Sequence, residues 1–456
     1  MTQKGGKVKK NWFCGAAAAA LAGLLLAGCA MPQTSIDSLL APPRLNDEQN
    51  EIYSALVRET STDIRLLYPQ KGTNRSAFLI TNLDGEATAE ALVFYQSTSA
   101  ANVSAAVHLN VLDKQEDRWV SVNDISLDGS QVEDVTLMNV GTGVPMVAVG
   151  LNYASDGASL LKIFSFNGKT LDEICSESYQ TKIVYDMDSD DQDEVILVSL
   201  QEGGLSMEAK FFTYENGRFR QTSTAIMDPS ITRYVRIQAG YLKNGRKAVY
   251  LDGYRGSSLM TTEILGYEKS LQGGSGYLVN LTYDPAAEPK HYPVDRPPGA
   301  YTYDTNNDSV MEVPGLTLMP GYTEEMTSVF YLTDWYNFLD GEFQKLKSSY
   351  VNSSQGYLLD FPAEWIGRVS VRKTSRANEM LFYEYQEGEE PIKSELLYIQ
   401  MSKRSDWEAG KLDEDYQVIN SSGGGQIVYL AKIPDNAPYD LRLTLQKVKE
   451  RFHRYY

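Results

Sequence analysis

Histidine is almost missing from this chain, with three in 456 residues. Imidazole is the commonest general base near neutral pH and the commonest metal ligand, so its scarcity narrows both kinds of chemistry. His108, His291 and His453 lie far apart, and no H-E-x-x-H pattern joins any two of them. His108 falls in an alternating strand run, His291 in a Pro-rich loop and His453 in the closing helix predicted below. Positive charge is also short: 42 Lys and Arg stand against 60 Asp and Glu, a formal net charge of −18. That balance excludes a nucleic-acid partner, because neutralising phosphates with Lys and Arg supplies most of such affinity. No G-x-S-x-G elbow and no phosphate-binding G-x-x-x-x-G-K-[ST] loop occurs. Gly141-Thr-Gly143 lacks the third glycine and the following helix of a dinucleotide turn. Tyrosine, by contrast, is plentiful at 30, and the 42% hydrophobic and 22% charged composition is that of a folded protein able to bury a large core.

The one long apolar run stands at the start. Lys4, Lys7, Lys9 and Lys10 precede an apolar, small-residue stretch from Trp12 to Leu26, which ends in Leu26-Ala27-Gly28-Cys29. Basic residues, an apolar run and small residues in that order make a secretory signal. The ending resembles the bacterial lipobox, which implies that residues 1–28 are removed and that Cys29 is diacylated. The mature protein is then lipid-anchored at the extracytoplasmic face of the cell membrane. Two acyl chains hold a protein stably where one does not. Loss of four lysines would take the net charge to −22 and leave Cys29 and Cys175 as the only cysteines. With Cys29 lipidated, Cys175 has no disulfide partner. Asp172 and Glu173 beside it should raise its thiol pKa by like charge, which makes it structural rather than reactive. Residues 29–65 read as a tether containing Pro32, Pro42 and Pro43, followed by a short helix. Asn46 and Gln49 have capping-box spacing there, and Ile52 and Leu56 give the helix an apolar stripe.

From Leu66 onward helical periodicity gives way to short β-rich runs. Several follow a loop of Asp, Asn and Gly. Asn82-Leu-Asp-Gly-Glu-Ala-Thr-Ala-Glu90 leads into ALVFY, Asp186-Met-Asp-Ser-Asp-Asp-Gln-Asp-Glu194 into VILVS, and Asp304-Thr-Asn-Asn-Asp-Ser-Val-Met-Glu312 into VPGLTL. Weaker copies are Asn139-Val-Gly-Thr-Gly143 before Met146-Val-Ala-Val149 and Leu242-Lys-Asn-Gly245 before Ala248-Val-Tyr-Leu251. The residues just before these strands are 90, 145, 194, 247 and 312, a repeat of roughly 55 residues. A second unit recurs within each repeat, two β runs joined by a tight turn, as at Asn216-Gly217 and Asp340-Gly341. About four strands per repeat predicts a mainly β protein, a β-propeller of degenerate four-stranded blades over 66–350. The loop-then-strand pattern resembles the FG-GAP or VCBS-type repeats of integrin-α-like propellers, in which a D-x-D-x-D-G-x-x-D/E loop often holds calcium. Asp191 and Ser309 stand where that family prefers glycine, and the loop at Asn82 has its Gly85 one step early.

Calcium also has a case independent of the resemblance. Alternate residues of a tight loop turn their oxygens toward one centre, and Ca²⁺ takes six to eight oxygens. The candidate ligands are Asp186, Asp188, Asp190, the Gln192 carbonyl and Glu194 in one loop. In the second they are Asp304, Asn306, Asp308, the Val310 carbonyl and Glu312; in the third, Asn82, Asp84, Glu86, Thr88 and Glu90. The competing expectation is that these residues merely form Asx turns with solvated charges.

The repeat stops near 351. Residues 355–456 carry 14 basic and 16 acidic residues, so the acidity belongs to the propeller. Strand-like runs at 369–371, 379–385, 395–401 and 426–431 precede an amphipathic run of Leu441, Leu445, Val448 and Phe452. Strands then a helix predict a small α+β domain over 351–456. Together the absent catalytic constellations and the binding-type repeat lead to a non-catalytic binding or scaffolding module with structural calcium, its ligand a surface protein or a glycan. The alternatives are a carbohydrate-active enzyme using carboxylates at the propeller mouth, and an assembly partner for other exported proteins.

Overall fold

The computed structural model describes residues 45–60, 63–98, 106–152, 159–201, 204, 206–270, 276–287, 292–388 and 391–455. The lipobox with Cys29, the tether up to residue 44 and His291 lie outside them. Among the described residues no helix is long and apolar enough to cross a membrane. The helix Asp47–Thr60 starts with the expected capping box. The Gln49 N–H donates to Asn46 Oδ1 at 2.8 Å, and the Asn46 N–H donates back to Gln49 Oε1 at 3.2 Å. Ile52 and Leu56 are buried, as their spacing predicts.

The rest is a β-propeller of antiparallel sheets, met in chain order. The second to fourth sheets have four strands each, joined in sequence order. The second comprises Gln131–Met138, Met146–Asn152, Ser159–Phe166 and Leu171–Tyr179. The third comprises Thr181–Tyr185, Glu194–Leu200, Met207–Glu215 and Arg218–Ile226, and the fourth Ile231–Tyr241, Lys247–Arg255, Leu259–Glu268 and Tyr277–Asn280. In the first sheet two short segments, Ile64–Leu66 and Phe78–Thr81, share one side of Glu90–Ser97, and the hairpin Val107–Gln115 and Arg118–Leu127 follows. The fifth runs Val313–Leu318, Tyr331–Leu339, Glu342–Asn352 and Tyr357–Asp360.

Three of the hairpins turn in two residues, both at positive φ: Glu116-Asp117, Asn216-Gly217 and Asp340-Gly341. That conformation matches the twist of the flanking strands, and a glycine adopts it without a Cβ clash. A one-residue register shift recurs in one hairpin of four sheets: in the closing hairpin of the first three at Val111/Leu112, Ile163/Phe164 and Phe211/Phe212, and in the hairpin of the second and third strands of the fifth at Trp335/Tyr336. Such bulges add twist to the outer strands, so the repeat is carried in backbone geometry even where sequence has drifted.

The continuous apolar runs in the second strands have a simple cause. Each is covered on both faces. Val147 and Val149 pack toward Leu92 and Phe94 of the first sheet, while Met146 and Ala148 pack toward Val195 and Leu197 of the third. Ile196 and Val198 then meet Val249 and Leu251, and Ala248 and Tyr250 meet Val313 and Phe338. A period-two side-chain alternation thus feeds two cores at once.

Residues Val369–Lys373, Glu379–Tyr385, Ile392–Lys403, Ile427–Lys432 and Gln417–Ser421 form a sixth sheet in that order. With the short helices Arg404–Glu408 and Leu445–Arg451 it makes the α+β portion. Val371, Phe382 and Ile399 pack against Leu332, Tyr350 and Tyr357 of the fifth sheet. Strand Glu342–Asn352 runs through residue 351, and Phe452–Arg454 adds to the fifth sheet beside Tyr357–Asp360. The expected helix over Leu441 to Phe452 is corrected. Thr444 caps it by accepting from the Lys447 N–H, so Leu441 lies before the helix; Phe452 and His453 leave it as strand, their backbone paired with Leu359 and Leu358. All the same, Leu441, Val448 and Phe452 are buried.

Candidate functional site

The predicted loop-then-strand junctions fall at strand starts: Glu90, Met146, Glu194, Lys247 and Val313. In the loop 186–193, Asx-type hydrogen bonds set the turn. Asp186 Oδ1 accepts from the Ser189 N–H at 2.8 Å, Asp188 Oδ1 from the Asp190 N–H at 3.2 Å, and Asp190 Oδ1 from the Gln192 N–H at 2.8 Å. Ser189 and Asp191 both take positive φ. One carboxylate oxygen each from Asp186, Asp188 and Glu194 comes within 4.8 Å of the others. Among the described residues no other group of three acidic, His or Cys side chains converges in this way. This group could hold a metal ion, and its all-oxygen donors suit a hard cation.

The electrostatics agree. Burial, followed by the Asp188, Asp190 and Asp186 charges, pushes the Glu194 carboxyl up to about 8. Burial and Asp190 raise Asp188 as well. Burial would also raise Asp186, but the Lys247 ammonium, 2.7 Å from Oδ2, holds it below the usual range. Asp190 lies outside this group and turns toward Gln192, whose side-chain amide donates to Asp190 Oδ2 at 3.0 Å.

The other two loops close on themselves. Asp304 accepts from the Asp308 and Ser309 N–H groups, and Asp308 from the Val310 N–H and the Asn306 amide. Val310 bridges to Tyr241, and Glu312 turns inward to accept from the Thr305 N–H and the Asn337 amide. In the loop at 82–90, Asn82 and Asp84 accept from the Gly85 and Glu86 N–H groups, and Glu90 is buried under the Leu83 N–H. Glu86 and Thr88 are exposed.

Sequence reasoning missed Lys247. It stands at the strand start where three other repeats have Glu, and it reaches back to the preceding repeat's loop, donating to the Asp186 carbonyl as well. It also missed two cavities beside the sixth sheet. One of about 660 Å³ lies against the fifth sheet, where Tyr331, Asn352, Gln355 and Tyr455 line it together with Arg376 and Glu379. The other, of about 580 Å³, contains Glu379, Glu395 and Asp413. Segment 373–376 and Glu379 border both. Glu379, nearly fully buried, accepts from the Tyr416 and Thr374 hydroxyls, and Tyr398 hydrogen-bonds Glu395. Burial and these carboxylates raise both tyrosines, so they stay protonated donors.

Other carboxylates are tied down. Glu133 meets Lys71 at 2.5 Å and Tyr179 at 2.7 Å, which hold it below the usual range against the opposing effect of burial. Asp134 meets Lys182 at 2.6 Å. Asp124 gathers Tyr95, His108 and Asn110 on the first sheet, and His108 is half-packed as expected. Cys175 is pushed up to about 12, by burial first and then by Glu177 and Glu173. The thiol is thus held protonated, with burial rather than like charge as the leading cause.

No protein-family model matches the chain, and no curated protein does. Solved structures do match. An exo-β-1,3-galactanase from Phanerochaete chrysosporium is 11% identical, with 83% of this chain and 92% of that one covered at a TM-score of 0.28. An α-L-arabinanase from Penicillium chrysogenum is 10% identical over 81% and 93%, at 0.27. An exotype rhamnogalacturonan lyase is 9% identical over 72% and 73%, at 0.28. The expectation of a non-catalytic binding or scaffolding module is corrected here: these neighbours are carbohydrate-active enzymes, and they fall with the alternative reading. They are too distant to assign chemistry to any residue of this chain.

Proposed function

We propose that the chain is a carbohydrate-active enzyme whose site is the cleft beside the sixth sheet. The observation that carries it is the lining of the 580 Å³ cavity, where Glu379 and Glu395 stand in one cavity with a tyrosine hydroxyl on each. Two carboxylates flanking one glycosidic bond are the minimum for its hydrolysis, and tyrosine rings suit the apolar faces of sugars. The adjoining 660 Å³ cavity supplies amides, hydroxyls and Tyr331 where further sugar units would lie. The test is a turnover screen of the mature protein on arabinans, galactans and pectic glycans. Hydrolysis lost at least a hundredfold in Glu379→Gln and Glu395→Gln supports the proposal; no release from any glycan, or release that ignores both substitutions, removes it.

We further propose that Asp186, Asp188 and Glu194 hold calcium in a structural role, as their oxygen donors and the likeness of the loop to FG-GAP or VCBS-type repeats support. The lipobox-like ending at Cys29 supports a lipid anchor on the extracytoplasmic face of the membrane. Cys29→Ala should move the protein out of the membrane fraction, and continued retention would count against the anchor.

A further inference from the structure

The sixth sheet has its own copy of the loop between first and second strands, and its charge is inverted. The strand Glu379–Tyr385 opens on a buried Glu, as do those beginning at Glu90 and Glu194. The residues before it, however, are Arg372, Lys373, Thr374, Ser375, Arg376, Ala377 and Asn378, with no carboxylate among them. Asn378, directly before that Glu, takes positive φ, as Asp191 and Ser309 do three residues before theirs. The 580 Å³ cavity therefore holds four cations, Arg372, Lys373, Arg376 and Lys432, in a chain of net charge −18.

Two of the four are already neutralised. Arg376 meets Asp413 at 2.8 Å, and Lys432 meets Asp415 at 3.0 Å. The remaining acids of the cavity are engaged by tyrosine hydroxyls, Glu379 by Tyr416 and Glu395 by Tyr398. Arg372 and Lys373 are exposed, and among the described residues neither has an ion-pair partner within 4.0 Å. Lys373 borders both cavities and Arg372 the 580 Å³ one alone, so the charge left without an ion pair lies at their junction and on the 580 Å³ side of it.

We infer that this junction binds the anionic group of an acidic saccharide, with Arg372 and Lys373 as the residues that recognise its charge. A guanidinium fork pairs two oxygens of a carboxylate or a phosphate, and a neighbouring ammonium adds a point charge. The inference rests on the carbohydrate reading above and narrows it to a glycan bearing carboxylate or phosphate groups. Arg372 and Lys373 select the ligand; they are not assigned to bond cleavage.

The test is calorimetric titration of the full mature protein with four probes: a galacturonate oligosaccharide, a glycerol-phosphate oligomer, a neutral galactose oligosaccharide and inorganic phosphate. The expected result is that one acidic oligomer binds at least tenfold more tightly than the neutral one. That preference should shrink with added salt and disappear in Arg372→Gln with Lys373→Gln. Tightest binding by the galacturonate or by the glycerol-phosphate oligomer identifies the source of the charge. Equal binding of acidic and neutral oligomers, unchanged in the double variant, overturns the inference and leaves the carbohydrate reading standing. Binding of inorganic phosphate that the double variant abolishes, with no saccharide bound, keeps the anion site and removes the carbohydrate reading. Absence of binding by all four probes overturns the inference, and the turnover screen above then decides the carbohydrate reading. Both side chains are exposed, so the double variant should fold, and its circular dichroism and melting temperature should match those of the parent.

Discussion

Glu194 Oε2 accepts a hydrogen bond at 2.8 Å from the backbone N–H of Met187, seven residues upstream. The same spacing recurs between Glu90 and Leu83 at 2.6 Å and between Glu312 and Thr305 at 2.8 Å. The last residue of each acidic loop therefore folds inward and braces the first turn of its own loop. A buried carboxylate needs such donors, since a charge taken out of water without partners is costly. Of the three, only Glu194 has oxygens of two further acids, Asp186 and Asp188, converging with its own within 4.8 Å. Brace and proposed cation ligand are then two uses of one side chain.

That crowding fixes the sign of a pH effect. The folded-state pKa of Glu194 is pushed up to about 8, above its ordinary value of 4.5. The metal-free folded state thus binds more protons than the unfolded chain between those values, and the contribution of Glu194 to stability falls as pH rises through the window. Below about 4.5 that contribution is fully present. Glu194→Gln keeps an oxygen for the Met187 N–H but cannot ionise. In chelator, the parent should lose melting temperature relative to Glu194→Gln between pH 4.5 and 8, and calcium should restore the parent alone. Parallel curves for the two proteins would show that Glu194 is not charged against its neighbours.

Lys247 competes for the same cluster. Its ammonium lies 2.7 Å from Asp186 Oδ2 and donates to the Asp186 carbonyl, where it offsets the Asp186 charge. Lys247→Met should tighten calcium binding several-fold, because a fixed positive charge beside the cation is removed. The metal-free protein should lose about 1–3 kcal/mol of stability, since Asp186 is left unpaired. Calcium titration together with chelator-state denaturation checks both signs. Weaker calcium binding in the variant would show that the lysine supports the cation site instead of opposing it.

Much of the fold was legible because the repeat writes itself twice, as a loop and as a double-faced strand. The marked junctions at residues 90, 145, 194, 247 and 312 fall at or one residue before the starts of second or equivalent strands. The copy ending at Glu379 escaped notice because its loop is shorter and basic, so that only the terminal Glu and the positive φ at Asn378 survive. The spacing of Leu441, Leu445, Val448 and Phe452 was read as one helix, yet the Thr444 cap and the pairing of Phe452 with Leu359 divide it. Burial marked the right residues, while backbone hydrogen bonding decided the element. The cleft was illegible for a different reason. Its walls come from Pro297, Tyr331, Asn352, Arg376 and Tyr455, segments that only tertiary packing brings together.

The connection between the fourth and fifth sheets is pinned by a buried ion pair, and this gives the sharpest stability prediction. Arg296 is 0% exposed and Asp252 1%, and Arg296 Nη2 lies 2.7 Å from Asp252 Oδ1. The guanidinium also donates to the Val294 and Ala300 carbonyls, each at 2.8 Å, while its backbone pairs with Met260. Asp252 in turn accepts from the Thr262 and Thr302 hydroxyls and from the Thr302 N–H. Breaking such a pair from one side strands a charge in the interior and costs about 3–5 kcal/mol. Arg296→Met should show that loss in urea denaturation, with Val294 and Ala300 also losing their donors. Adding Asp252→Asn to Arg296→Met removes the stranded charge while the amide oxygen still accepts from Thr302, so the double variant should be more stable than Arg296→Met alone. A single variant within about 1 kcal/mol of the parent, or a double variant that simply adds two losses, would show that the charges are not coupled and that packing alone holds the connection.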